Sequence, residues 1–144
     1  MQNQEIKRPW SVTWLALSVL SWVGIGLTKI STTLTQWDFL NNLPLTVSPT
    51  TFLITGGVEA VIGIMVFAGL WNGKPWSKNA TKYFAWILLI KYWIGQFVFV
   101  SNPLSKENWL YSLFLSGMII FTIYLILSRL KARKFFGEIY ERER

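Results

Sequence analysis

Glu59 and Lys91 are the residues best placed to do chemistry in this chain, because each sits inside an otherwise apolar, uncharged stretch. A lone charge near the centre of a membrane helix costs roughly 2.5–3.5 kcal/mol, so such residues usually mark a proton relay, an ion path or a site for a charged substrate. Counted from the outer ends of their segments, Glu59 is about 12 Å deep and Lys91 about 13.5 Å deep, at 1.5 Å per residue. The two segments form a hairpin around residues 73–77, so a Glu59–Lys91 ion pair is expected. Facing each other, the two charges offset much of their own insertion cost. The pair is then either a relay or an internal clip that fixes how two helices meet, and the residues support both readings equally.

Other polar side chains could join them. Ser18, Ser21, Thr55, Gln96, Ser112 and Ser116 are candidates for lining a polar cavity, although serines in apolar helices more often bond to their own backbone or across helices. Around Glu59, the residues Thr55, Gly56, Gly57, Ala60 and Gly63 supply the small-residue spacing that lets helices approach closely. Trp86 and Trp93 are deep enough to face a lipid or a quinone, with bulky packing as the plainer role.

The composition closes most other routes. The chain has no Cys and no His. Disulfides, thiol redox chemistry, Cys–zinc sites and the commonest general base and metal ligand are therefore excluded. No phosphate-cradling loop, nucleophile–base set or metal-ligand cluster appears. The expectation is a protein that is not an enzyme and holds no cofactor or metal.

The elements that must position these residues follow from hydropathy. Of 144 residues, 52% are hydrophobic and 15% charged, and the charges avoid long stretches such as 9–28 and 108–128. Runs this long and apolar read as transmembrane helices. Four spans are expected, at 10–28, 51–71, 83–100 and 109–128, giving an all-α bundle of four transmembrane helices. The third is the least regular, because Lys91 and Gln96 interrupt it.

Basic residues orient the bundle. Lys7, Arg8, Lys74, Lys78, Lys82, Arg129, Lys131, Arg133, Lys134, Arg142 and Arg144 fall on one side, against Lys29 and Lys106 on the other. The positive-inside rule then places both termini in the cytoplasm, in a multi-pass protein of the cell's inner membrane. The same rule accounts for most of the net charge of +7, so no nucleic-acid partner is inferred. The start resembles a signal peptide in charge, but Gly26-Leu27-Thr28-Lys29 lacks a small-residue cleavage site, and span one is expected to be retained.

The connections carry their own signals. Ile30, Leu34, Trp37 and Leu40 recur at helical spacing, predicting a short amphipathic helix in the outer loop or a continuation of span one. Asn41-Asn42-Leu43-Pro44 ends it, and Ser48-Pro49 reads as an N-cap followed by a first-turn proline. Asn72-Gly73-Lys74-Pro75 is a tight turn, and Ser101-Asn102-Pro103 closes span three. Arg8-Pro9-Trp10-Ser11 and Lys74-Pro75-Trp76-Ser77 look like a short repeat, but inward helix starts favour those residue types in any case. The tail 129–144 is expected to be a basic amphipathic segment. Its Arg129, Lys131, Arg133 and Lys134 lie where anionic headgroups would be attracted, and Gly137 argues against an unbroken helix.

Three motifs carry a resemblance: Lys7-Arg8-Pro9-Trp10-Ser11-Val12-Thr13, Gly69-Leu70-Trp71-Asn72-Gly73-Lys74-Pro75-Trp76-Ser77 and Phe135-Phe136-Gly137-Glu138-Ile139-Tyr140-Glu141-Arg142. Together they look like a family of small, uncharacterised four-span bacterial membrane proteins. The resemblance implies the four-helix membrane fold and no particular activity. The sequence therefore predicts a non-enzymatic structural or accessory protein, whose partners are the lipid bilayer and either other membrane subunits or further copies of itself. The alternative is a small transporter or channel using Glu59 and Lys91.

Overall fold

The structure, a computed structural model, describes residues 8–43, 47–98 and 109–137. The Ser101-Asn102-Pro103 turn, Lys106 and the distal tail lie outside the described residues. Among the described residues every regular element is an α-helix. Three of the helices are long and apolar enough to cross a membrane. The chain divides into two compact units, Thr13–Asn72 and a second formed by Gly73–Arg144 with Met1–Val12.

Helix α1, Trp10–Thr35, belongs to the first unit from Thr13 onward and ends seven residues beyond the expected end of span one. The reason is visible in its buried face: Val12, Ala16, Val19, Val23, Gly26 and Thr33 recur every three or four residues, with Ile30 half-buried in the same series. That apolar stripe does not stop at Lys29, so neither does the helix. A one-residue interruption at Gln36 then leads into α2, Trp37–Asn42. Backbone bonds bridge the break, with the Gln36 N–H donating to the Thr32 carbonyl and the Leu40 N–H to that of Gln36. Both expectations for this segment are met in part, as continuation and as a short helix. Its Trp37 and Leu40 are half-buried, while Asp38, Phe39, Asn41 and Asn42 are exposed.

Helix α3 spans Pro49–Trp71, and α2 rests on it. Its start follows the sequence signal: the Ser48 hydroxyl accepts from the Thr50 N–H at 3.3 Å, and Pro49 occupies the first turn. Its end is capped by Asn72, whose Nδ2 donates to the Ala68 carbonyl at 2.8 Å.

The second unit contains α4, Pro75–Val98, α5, Trp109–Ser128, and α6, Leu130–Phe135. Helix α4 begins at Pro75, eight residues before the expected third span, and carries Lys78, Lys82 and Lys91. Among the described residues α4 is therefore not one of the three helices apolar enough to cross a membrane, where four spans were expected. Helix α4 lies against α5. The Tyr92 hydroxyl donates to the Ser112 hydroxyl at 3.3 Å, and the Lys82 ammonium lies 5.0 Å from the centre of the Tyr124 ring. Residue numbers rise along one helix as they fall along the other, so the two are antiparallel.

Helix α5 occupies the expected residues and buries only Ser116 and Leu127. Leu110, Phe114, Phe121 and most of its other large side chains are exposed. An apolar surface of that extent needs a non-aqueous cover, which is the strongest structural mark of a membrane-embedded protein here. The tail does not continue α5. Arg129 adopts an extended conformation, and α6 starts afresh at Leu130. It ends at Phe135, followed by Gly137 at φ +78°. Phe136 and Ala132 are buried, and Phe135 packs on the Gly73 turn.

Candidate functional site

The site lies where α1 crosses α3. A Cβ on Gly26 would stand 2.9 Å from the Gly56 carbonyl oxygen and 3.2 Å from the Ala60 nitrogen. A Cβ on Gly56 would stand 2.9 Å from the Gly26 carbonyl oxygen and 3.2 Å from Ile30 Cγ1. Neither glycine has a positive φ, so both are required here by space rather than by backbone conformation. Gly26 lies beside Ala60 and Ile30 beside Gly56, which makes α1 and α3 antiparallel. Close backbone approach through small residues is how helices associate where lipid removes the hydrophobic incentive.

Lys29 follows Gly26 by just under one turn, and Glu59 follows Gly56 in the same way. Lys29 Cβ lies 3.3 Å from the Cβ position of Gly56, so the lysine stem is laid over the glycine. Its Nζ then reaches Glu59 Oε2 at 2.7 Å, a charge-assisted hydrogen bond. The glutamate side chain is 11% exposed and the lysine side chain 33%. One turn further on, the buried Thr33 hydroxyl donates to the Lys29 carbonyl at 2.7 Å and holds the backbone above the pair. Glu59 is ten residues into α3, about 15 Å along its axis. The glycine crossing thus places both charges beside each other well inside two apolar helices.

Lys29 is the residue that sequence reasoning missed as a partner. It follows directly on the charge-free stretch 9–28, and counting it with the outer loop removed it from consideration. The signal was present in the helical spacing that runs past it through Ile30 and Leu34. Glu59 belongs to the first unit and Lys91 to the second. Lys91 is half-buried on the α4 face that also carries Ser77, Thr81, Phe84 and Leu88.

The other candidates divide by unit. Ser18 and Ser21 are exposed, and their hydroxyls donate to the Trp14 and Leu17 carbonyls at 2.9 Å and 3.1 Å. Thr55 is half-buried and donates to the Thr51 carbonyl at 2.8 Å. These are the local bonds by which such residues satisfy themselves in apolar helices. In the second unit Ser112 bonds Tyr92, Ser116 is buried and Gln96 is half-buried. Trp86 is exposed, while Trp93 lies between the Tyr92 and Phe97 rings, with centroids at 5.7 Å and 5.6 Å. On the tail, Arg129, Lys131 and Lys134 are exposed and Arg133 is half-buried. Among the described residues no group of three or more acidic, His or Cys side chains could hold a metal.

Compared with protein-family models, curated proteins and solved structures, the chain finds no match. What it does must be argued from its own geometry.

Proposed function

We propose that this is a non-enzymatic, multi-pass protein of the cytoplasmic membrane that serves as a structural or accessory subunit of a membrane complex. The observation that carries the reading is the Lys29–Glu59 pair. The carboxylate inside α3 is engaged at 2.7 Å by a lysine on the neighbouring helix, at the crossing where Gly26 and Gly56 meet. A charge held there fixes the register of α1 on α3, because sliding either helix would leave two ions in hydrocarbon. That is a clip.

The proposal includes four spans with both termini in the cytoplasm, in keeping with the resemblance to small four-span bacterial membrane proteins. Helix α4 has 24 residues, about 36 Å of length. Its Lys78 and Lys82 sit near the Pro75 end, where long side chains reach back to the headgroups. The chain has no Cys, so single cysteines report topology without background. A membrane-impermeant maleimide applied to intact cells should label Asn42→Cys and leave Lys74→Cys unlabelled until the membrane is opened. Labelling of both from outside would overturn the arrangement.

The accessory role is tested by extraction in mild detergent and identification of what co-purifies in stoichiometric amount. A defined membrane-protein partner supports it, and a solitary chain or a pure homo-oligomer refutes it. The alternative is a small transporter or channel using Glu59 and Lys91, favoured by the placement of Lys91 on the half-buried face of α4. On that reading Glu59→Gln abolishes transport while the protein still folds.

A further inference from the structure

The junction between the Gly73 turn and α6 gathers cations that the fold holds in place. Gly73 has φ +64°, and a Cβ there would stand 3.0 Å from both the Phe135 carbonyl oxygen and its ring. Phe136 is 1% exposed and Ala132 fully buried, so α6 is docked rather than trailing. The contact brings the neighbours of Gly73 and Phe135 together. Given 3.8 Å between consecutive Cα atoms, the Cα atoms of Lys74 and Lys134 lie within roughly 15 Å of each other. Two extended lysine side chains can close on one small anion across that gap.

Lys74, Arg129, Lys131 and Lys134 are all exposed. The stretches 73–98 and 109–137 contain no Asp or Glu, so no carboxylate within them offsets these charges. Charges of both signs follow in 138–144, beyond the four cations held by the turn and α6. They stand at the ends of α4 and α5, beside an apolar helix that needs lipid around it.

We infer that the Gly73 turn and α6 form one binding site for the headgroup phosphate of an anionic phospholipid, with Lys74, Lys131 and Lys134 as its ligands. The tail is then not merely attracted to a charged surface; it completes a site whose other half is the turn. The inference requires membrane embedding and is independent of the accessory role.

The test uses the full-length protein reconstituted into vesicles of equal phosphatidylglycerol and phosphatidylcholine, extracted mildly, with retained lipid identified by native mass spectrometry. The wild type should retain phosphatidylglycerol preferentially. The combined Lys74→Gln, Lys131→Gln and Lys134→Gln variant should lose that preference, by about fivefold for each lysine removed. Phe135→Ala keeps every charge but undocks α6, and should lose most of the preference. Gly73→Ala is read in the same way should Phe135→Ala not fold. An unchanged preference in the lysine variant overturns the site. So does a preference that survives undocking, which would show scattered charge instead. Wild-type protein that enters vesicles without any phosphatidylglycerol preference sinks the site and leaves membrane embedding intact. Failure to enter vesicles at all sinks both.

Discussion

Gly26 and Gly56 meet along two apolar helices, whereas Gly73 meets Phe135 at a turn beside exposed lysines. Both contacts crowd a Cβ, at 2.9 Å in the first and 3.0 Å in the second. At the helix crossing the backbone is ordinary helix, and only space demands glycine. At the turn a positive φ adds a second demand. The consequences differ with the surroundings. Within the apolar helices, close approach brings opposite charges together, because an unpaired ion there is costly. At the turn, close approach gathers like charges, which water tolerates and which an anion would bind.

The sharpest way to break this comparison is to fill the crossing. Gly56→Leu should separate α1 from α3 and cost about 3 kcal/mol through overpacking, measured as a shift in denaturant midpoint in detergent. Gly57→Ala is the matched control, because nothing lies within 4 Å of a Cβ there. It should be neutral or slightly stabilising, since alanine favours helix over glycine. Equal destabilisation by both would mean that the crossing has no special role.

The ion pair comes next. Glu59→Gln alone should cost about 2 kcal/mol, less than for a fully buried pair because Lys29 is one-third exposed. Lys29→Met added to Glu59→Gln should recover much of the loss, since the lysine whose carboxylate was removed is then gone as well. A double-mutant cycle with no coupling between the two positions would remove the clip.

The smallest effect is expected at the turn. Gly73→Ala should cost about 1–2 kcal/mol from the left-handed backbone alone, read by the same unfolding titration. If it exceeds Gly56→Leu, the turn rather than the crossing organises the fold.

Much of the architecture was legible in the residues. The ends of α5 at Trp109 and Ser128, the Ser48–Pro49 start of α3 and the turn at Gly73 follow from hydropathy, capping and turn chemistry, which are local. The partner of Glu59 was not. Lys29 went unread beside it, because the true length of α1 was masked by treating its first charge as its end. The docking of Phe135 on Gly73 was also hidden, because it joins residues 62 positions apart.

The sequence by itself determined that this chain is helical, rich in long apolar segments and without cysteine or histidine chemistry. Period, hydropathy and composition are properties of neighbouring residues, so they need no fold to be read. Only the tertiary structure decided that Lys29 answers Glu59 and that α6 turns back onto Gly73. Both depend on which small residues let two backbones touch, and that distance exists only once the helices have packed.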